Sequence, residues 1–185
     1  MKHALQIAAI ASLFGTAAMA QTVDFSGGYV GIALNQSSGS MEYDNLINPY
    51  DLREENSATI FAGYNWQNGG FVYGAELATH NGLSGPVGFS SETDEYINDL
   101  RGRAGYVMGD FMVYGLAGYS YGSFREASTW DISGYVYGVG AEYRIDGALI
   151  GLEYYEHRLE GDTTNPGQTH IYEPNTIAMR IGFSF

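Results

Sequence analysis

A period-two alternation of side-chain type is the feature that most constrains what this chain can fold into. Along residues 135–144, Tyr, Tyr, Val, Ala and Tyr occupy one set of alternate positions, and Val, Gly, Gly, Glu and Arg occupy the other. Because successive side chains of a strand point to opposite faces, this pattern predicts a β-strand whose two faces meet different environments. The same test predicts seven further strands, at residues 23–36, 57–66, 71–80, 96–108, 111–121, 149–158 and 175–185.

The connectors between the predicted strands alternate in length. Residues 67–70, 108–110 and 145–147 are short, and the Asn-Gly of the first suits the positive φ of a tight hairpin turn. The other connectors are long and polar, at residues 37–56, 81–95, 122–132 and 159–174. This strict alternation predicts an up-and-down antiparallel meander with long loops at one end and both termini at the other.

Charged residues and glycines share one face of the predicted strands, and large apolar residues share the other. Glycine suits the tight interior of a narrow closed barrel, so the aromatic and aliphatic side chains point outward, where only lipid stabilises them. We therefore predict an all-β fold, an eight-stranded antiparallel up-and-down transmembrane β-barrel. Residues 111–121 carry Gly and Tyr on both faces, which leaves their inward face open. The predicted interior polar network comprises Glu76, Arg101, Arg103, Glu142, Arg144, Glu153 and Arg180.

The first twenty residues have the pattern of an export signal. Lys2 and His3 precede an apolar stretch over residues 4–14, and Ala18-Met19-Ala20 supplies the small residues that signal peptidase requires. The stretch is too short to span a membrane as a helix. We predict a cleaved signal peptide over residues 1–20 and an outer-membrane β-barrel domain over residues 21–185, reached by export through the periplasm of a Gram-negative cell.

Charge and cysteine content exclude several classes of protein. The chain has 21 Asp and Glu against 8 Lys and Arg, and loss of Lys2 with the signal peptide leaves seven arginines and a net charge of −14. A non-specific nucleic-acid binder needs a basic surface, so no nucleic-acid partner is predicted. Since cysteine is absent, there is no disulfide framework, thiolate metal site or cysteine nucleophile. We predict no cofactor and no metal site.

Several segments resemble the small outer-membrane β-barrel family, the porin-like or OmpA/OmpX-like barrel domains. Gly63–Gln67 with Phe71–Glu76 resembles the second hairpin of that family, Leu100–Tyr106 its fourth strand, and Gly138–Tyr143 and Leu152–Tyr155 its sixth and seventh strands. The resemblance covers nearly all of the chain after the signal peptide. It implies an eight-stranded barrel with a structural or surface-interaction role, in contact with outer-membrane lipid and lipopolysaccharide.

The chain ends on a strand of alternating apolar residues whose last member is Phe185. This arrangement resembles the C-terminal signal by which outer-membrane barrels are recognised for insertion. It implies that Phe185 is the insertion signal and that the barrel-assembly machinery and periplasmic chaperones are partners during biogenesis.

Two other functions stay open at this point. Charges paired across so narrow a lumen would plug it, but an incomplete plug would give a small-solute or ion channel. Some eight-stranded outer-membrane barrels are lipid A-modifying hydrolases, with a serine two positions after a rim histidine. His157 is followed at that position by Leu159, which offers no nucleophile. We therefore predict no catalytic residue and no enzymatic activity.

Histidines and carboxylates collect near the long-loop end. His80, His157 and His170 match no metal-ligand spacing, so we expect scattered, solvated side chains. The carboxylates predict acidic extracellular loops, and divalent cations bridging them to lipopolysaccharide would be one use of that charge. The extracellular ligand stays unidentified. The loop carboxylates are Glu42, Asp44, Asp51, Glu54, Glu55, Glu92, Asp94, Glu95, Glu160, Asp162 and Glu173.

Overall fold

The computed structural model describes residues 23–43, 50–81, 96–125, 129–162 and 169–185. The predicted signal peptide lies outside these ranges, as does the middle of each long connector. Eight strands make up the described chain: β1 (Gly27–Tyr43), β2 (Tyr50–Asn68), β3 (Phe71–Asn81), β4 (Tyr96–Met108), β5 (Phe111–Arg125), β6 (Thr129–Ile145), β7 (Ala148–Asp162) and β8 (Thr169–Ser184).

The strands form one closed antiparallel barrel. Each strand pairs with the next in sequence, and β8 pairs with β1, so the sheet has no free edge. At the seam, the backbone amide of Gly28 donates to the carbonyl of Phe185 over 2.9 Å, and the amide of Phe185 donates to the carbonyl of Gly28 over 2.8 Å. The predicted fold class is confirmed. Within the described ranges, no helix is long and apolar enough to cross a membrane.

The two faces of the wall differ as the alternation predicts. Large apolar side chains point outward, with Ile60, Leu77 and Val139 each at least 60% exposed. Aromatic residues form two outward belts, one near the short turns and one nearer the long loops. The short-turn belt contains Tyr64, Trp66, Phe71, Tyr73, Tyr106, Phe111 and Tyr143, and the other contains Tyr96, Tyr119, Tyr121, Tyr135, Tyr137 and Tyr154.

The structure settles the face of β5. Met112, Tyr114 and Leu116 are buried in the lumen, whereas Tyr119 and Tyr121 are exposed. Not every glycine follows the predicted inward rule. Gly102 and Gly115 lie on the outward face between alanines, which makes a patch of small residues over β4 and β5.

At the long-loop end the strands extend further than predicted. β1 continues to Tyr43 and β2 begins at Tyr50, so the predicted loop over residues 37–56 is wrong at both of its ends. The connectors at 122–132 and 159–174 are shortened in the same way. Backbone pairing continues there without the apolar alternation from which the strands were predicted. Gly39, with φ of 155°, pairs with Pro174 just after a shift in the β1–β2 register.

The alternation predicted residues 23–26 as part of the first strand, and this is wrong. They precede β1 and cross the short-turn mouth of the barrel. The amide of Val23 donates to the carbonyl of Gly109 over 3.2 Å, and the Gln67 side chain bonds the backbone of Val23 and Phe25. The Phe25 side chain is buried in the lumen at 3% exposure. The mouth is therefore covered by the chain that leads into β1.

The opposite end of the lumen holds a second buried apolar cluster, which we call the outer apolar layer. Its side chains come from β1, β2, β4, β7 and β8, and they point inward beyond the polar residues described below. Ile97 and Leu159 are fully buried within it. The layer comprises Met41, Leu52, Ile97, Leu159 and Tyr172, with Ile132 packed against them.

Candidate functional site

The middle of the lumen is filled by charged side chains from five strands, which we call the central network. The inward parity of each strand places them there, and each is 5% exposed or less. Three glutamates face three arginines, so the network is balanced in charge. It comprises Glu76 from β3, Arg101 and Arg103 from β4, Glu142 from β6, Glu153 from β7 and Arg180 from β8.

Arg180 and Arg103 connect strands that are not neighbours in the sheet. The Arg180 guanidinium donates to Glu76 on β3, across the lumen from β8, and also to Glu153 on the neighbouring strand β7. Arg103 donates to Glu142 from Nη1 over 3.2 Å and from Nη2 over 2.5 Å, a bidentate pair between β4 and β6. Arg103 Nη1 also lies 3.4 Å from Glu76 Oε2. Buried ions need this degree of pairing to persist.

Aromatic side chains that the sequence reading did not assign to the network complete it. The Tyr114 hydroxyl donates to Glu153 over 2.7 Å, and the Tyr29 hydroxyl donates to Glu76 over 3.1 Å. The Arg103 guanidinium carbon lies 4.9 Å from the Tyr29 ring centroid and 4.3 Å from that of Tyr114. Cation–π contacts therefore add to the ion pairs. Parity was an available signal for Tyr29 alone, because the inward face of residues 111–121, which include Tyr114, was left open by the sequence.

Arg144 lies apart from the central network, although it shares the inward face of β6. It is half-buried at the short-turn end, where its guanidinium donates to the backbone carbonyl of Asp24. It thus holds the segment across the mouth rather than a lumen carboxylate. Asp24 itself accepts from the Ser26 hydroxyl over 2.6 Å and from the Ser26 amide over 2.8 Å, and these bonds lower the pKa of the Asp24 carboxyl.

A second polar group, the histidine–aspartate cluster of His80, Asp99 and His157, lies between the central network and the outer apolar layer. His80 Nε2 is 2.7 Å from Asp99 Oδ2, and His157 Nε2 is 3.1 Å from Asp99 Oδ1. One ligand-type atom from each residue can be chosen so that all three lie within 4.8 Å of one another. Arg101 joins the two groups, because it donates to Asp99 and lies 3.3 Å from Glu153.

The prediction of solvated rim histidines is wrong for His80 and His157, which are 5% and 4% exposed. Because the strands continue past their predicted ends, positions taken for the rim lie inside the lumen. Asp99, which the predicted interior network did not include, is buried on the inward face of β4 and is the residue that both histidines contact. His170 lies in β8, paired with Tyr43, and its side chain is outside the described part of the structure.

Comparison with known proteins agrees with this architecture. Residues 7–185 match the family described as the outer membrane protein beta-barrel domain. This chain belongs to that family. The match covers almost the whole sequence, so the outer-membrane location follows from it together with the closed barrel.

Curated relatives of this outer-membrane barrel have matching names. The 22 kDa outer membrane protein of Rhizobium leguminosarum bv. viciae is 32% identical over 139 residues, which cover 68% of this chain and 64% of that protein. The 31 kDa outer-membrane immunogenic protein of Brucella melitensis biotype 1 is 28% identical over 193 residues, covering 76% of this chain and 80% of that protein. This chain therefore spans less than two thirds of the length of the Rhizobium relative.

Solved structures show the same fold at low identity. The attachment invasion locus protein Ail of Yersinia pestis has a TM-score of 0.51 and 13% identity, covering 86% of this chain and 99% of Ail. Neisserial surface protein A has a TM-score of 0.52 and 13% identity, covering 86% and 98%. These likenesses bear on the barrel architecture and not on the residues of the lumen.

The residues compared with a hydrolase lie inside this outer-membrane barrel. His157 contacts Asp99 in the lumen, and Leu159, at the position where a serine would be needed, is fully buried in the outer apolar layer. Ser120, which pairs with Asp99 across β4 and β5, is also fully buried. None of these three side chains lies where a lipid substrate would reach it.

Proposed function

We propose that this protein is a non-conducting outer-membrane barrel with a structural and surface-interaction role, rather than a channel or an enzyme. The observation that carries the proposal is the stacking of three buried layers across the lumen. Phe25 and its neighbours lie at the short-turn mouth, the central network lies in the middle, and the outer apolar layer lies beyond it. An ion on this path would have to displace paired charges and then cross an apolar constriction.

Planar-bilayer conductance of the refolded protein tests this proposal. We expect no reproducible unitary steps from protein that is fully folded by heat-modifiable migration on gels. The matched variant replaces both Arg180 and Glu153 with serine, which removes one pair of opposite charges from the network without changing its net charge. Steps in the variant alone would support a plug, whereas steps in the wild-type protein would establish a channel.

We place the surface-interaction role at the long-loop end, where exposed carboxylates outnumber basic groups among the described side chains. Glu42, Asp51, Glu54 and Glu160 are exposed there, and Glu173 is paired with Arg158. Such a rim favours divalent cations that bridge to anionic lipopolysaccharide, and it disfavours direct contact with a polyanion. Ail has been crystallised with the heparin analogue sucrose octasulfate, a ligand that this acidic rim would repel.

Vesicle adhesion distinguishes these two modes of surface contact. Folded protein in liposomes should adhere to lipopolysaccharide vesicles with Mg²⁺ and lose adhesion with a chelator. Sucrose octasulfate should bind weakly, with or without Mg²⁺. Adhesion that is insensitive to the chelator would contradict the cation-bridged mode.

The segments at residues 1–20 and 175–185 support a proposal about biogenesis. We propose that residues 1–20 are removed as a signal peptide and that periplasmic chaperones then carry residues 21–185 to the barrel-assembly machinery. The surroundings of Phe185 support its proposed role as the insertion signal. Its side chain is 83% exposed while its backbone pairs with Gly28 at the seam. Deletion of Phe185 should lower the folded yield in cells but leave refolding in detergent largely intact.

A further inference from the structure

The buried charges of the described lumen do not balance, and the surplus lies at the histidine–aspartate cluster. Among the described residues, four carboxylates and three guanidiniums are buried in the lumen as a whole. The central network uses three of each, so Asp99 shares Arg101, which donates to it from Nε over 2.9 Å, with the glutamates of the network. Arg101 is shared between Asp99 and Glu153, at 3.3 Å, with Glu76 at 3.6 Å. A buried carboxylate that shares its guanidinium with other carboxylates would be stabilised further by an added cation.

The surroundings of His80 suit a metal ligand. Thr59 Oγ1 lies 2.8 Å from His80 Nδ1, and the Tyr155 hydroxyl lies 3.3 Å from the same atom. When Nδ1 donates to a hydroxyl oxygen, Nε2 carries the lone pair and faces Asp99 Oδ2 at 2.7 Å. Two acceptors this close need a positive group beside them, and in this structure the Arg101 guanidinium holds that place. Outer contacts that fix the tautomer in this way are typical of metal-binding histidines.

We propose that His80, Asp99 and His157 bind a divalent first-row transition-metal ion of the Zn²⁺ type inside the lumen. Two imidazole nitrogens and one carboxylate oxygen are a usual three-ligand set for Zn²⁺, with the fourth position left to water. A small cavity touches both histidines and is lined partly by the hydroxyls of Ser37, Ser57 and Thr176. These hydroxyls give the water of the fourth position hydrogen-bond partners.

Arg101 is the group that the ion would displace. Its Nη2 atom lies 2.8 Å from His80 Nε2 and donates to Asp99, so the guanidinium occupies the place of a cation between these two ligands. Glu153 Oε2 lies 3.3 Å from Arg101 Nη1 and Glu76 Oε1 lies 3.6 Å away, so Arg101 has other carboxylates to pair with. Metal binding would thus move Arg101 fully into the central network.

The position of the cluster determines how an ion is loaded. The outer apolar layer lies on one side and the central network on the other, so the described residues leave a hydrated ion no open route to the cluster. We therefore expect loading while the barrel folds, with slow exchange afterwards. This is the reason to supply the metal during refolding and not to the folded protein.

The experiment refolds the barrel in detergent with Zn²⁺, removes free metal with a chelator and gel filtration, and measures the zinc retained. We expect one ion per chain in the wild-type protein. His80→Ala and His157→Ala should retain none, whereas the control His170→Ala, at a histidine outside the cluster, should retain one. Thr59→Val, which keeps the ligands but loses the Nδ1 contact, should lower the affinity about 10-fold or more.

Co²⁺ in place of Zn²⁺ supplies a second measurement, which does not depend on whether the variants fold. Wild-type barrel refolded with Co²⁺ should show the intense visible absorption of a four-coordinate site. The weak spectrum of the hydrated ion would overturn the proposal. So would zinc retention that falls in His170→Ala and persists in His80→Ala and His157→Ala. None of these readouts depends on conductance or adhesion, so the proposed function and this site can fail separately.

Discussion

Arginine, glutamate and glycine occur on both faces of the barrel wall, but they are less exposed on the inner face than on the outer face. On the inner face, Arg180 is 2% exposed and bridges two glutamates. On the outer face, the side chain of Arg158 is 52% exposed and pairs with Glu173 alone. The comparison teaches that whether a strand residue points inward or outward decides how much stability is lost when its charge is removed or its glycine is replaced. Two pairs of substitutions test that statement, and two smaller effects outside the lumen come after them, in order of decreasing expected size.

Arg180→Met should be the most destabilising change, because it leaves the buried carboxylates of Glu76 and Glu153 short of a partner. We expect a loss of about 3–5 kcal/mol in the free energy of unfolding. Arg158→Met is the matched control, with an expected loss below about 1 kcal/mol. Urea unfolding of both variants in the same detergent gives the comparison. Similar losses in the two variants would mean that parity does not govern the cost of a charge.

Glycines provide the second pair. A β-carbon on Gly31 would lie 2.3 Å from the carbonyl oxygen of Ile181 and 2.8 Å from the Cα of Gly182, and backbone cannot give way easily. Gly31→Ala should therefore cost about 1–3 kcal/mol. On the outer face, a β-carbon on Gly102 would meet its nearest atom at 3.7 Å, so Gly102→Ala should change stability by less than about 0.5 kcal/mol. Equal effects in urea unfolding would contradict this.

An outward carboxylate near the long-loop belt gives a smaller effect. Glu156 accepts from the Tyr137 hydroxyl over 2.7 Å and from the Tyr154 hydroxyl over 2.8 Å. Glu156→Gln should cost about 1 kcal/mol, because one charged acceptor is lost while the aromatic rings keep their place at the membrane interface. The double variant with Tyr137→Phe should add little to this cost. Full additivity of the two changes would show that they do not share a bond.

The smallest effect concerns pH and the segment across the mouth. Because the pKa of Asp24 is lowered in the folded protein, its contribution is present above the unfolded value of about 3.9 and is lost as the pH falls through the folded value. Ser26→Ala removes the largest cause of the shift. The variant should be less stable than wild type at pH 7, by under about 1 kcal/mol, and the difference should shrink near pH 3. A difference that is constant with pH would exclude Asp24 as its source.

Alternation in the sequence was sufficient to predict the closed barrel, the strand number and the face of most residues. It predicted little at the long-loop end, because strands beyond the lipid need no apolar face while backbone pairing continues. That is why His157 was placed at a solvated rim although it lies inside the lumen, five residues before Asp162, the last paired position of β7. The face of β5 could not be predicted, because tyrosines occur on both of its faces. Tyr114 turns inward with its hydroxyl on two glutamates, a contact that requires β6 and β7 to be in place.

The contacts of Arg180 have a consequence for how the barrel comes apart. A sheet in which each strand is bonded only to its neighbours can unfold one hairpin at a time. Here Arg180 on β8 holds both Glu76 on β3 and Glu153 on β7, and Arg103 on β4 holds Glu142 on β6. Removal of any hairpin between β3 and β8 would break ion pairs to strands outside that hairpin. The crosswise bonds therefore favour cooperative unfolding of the strand segments that carry the central network.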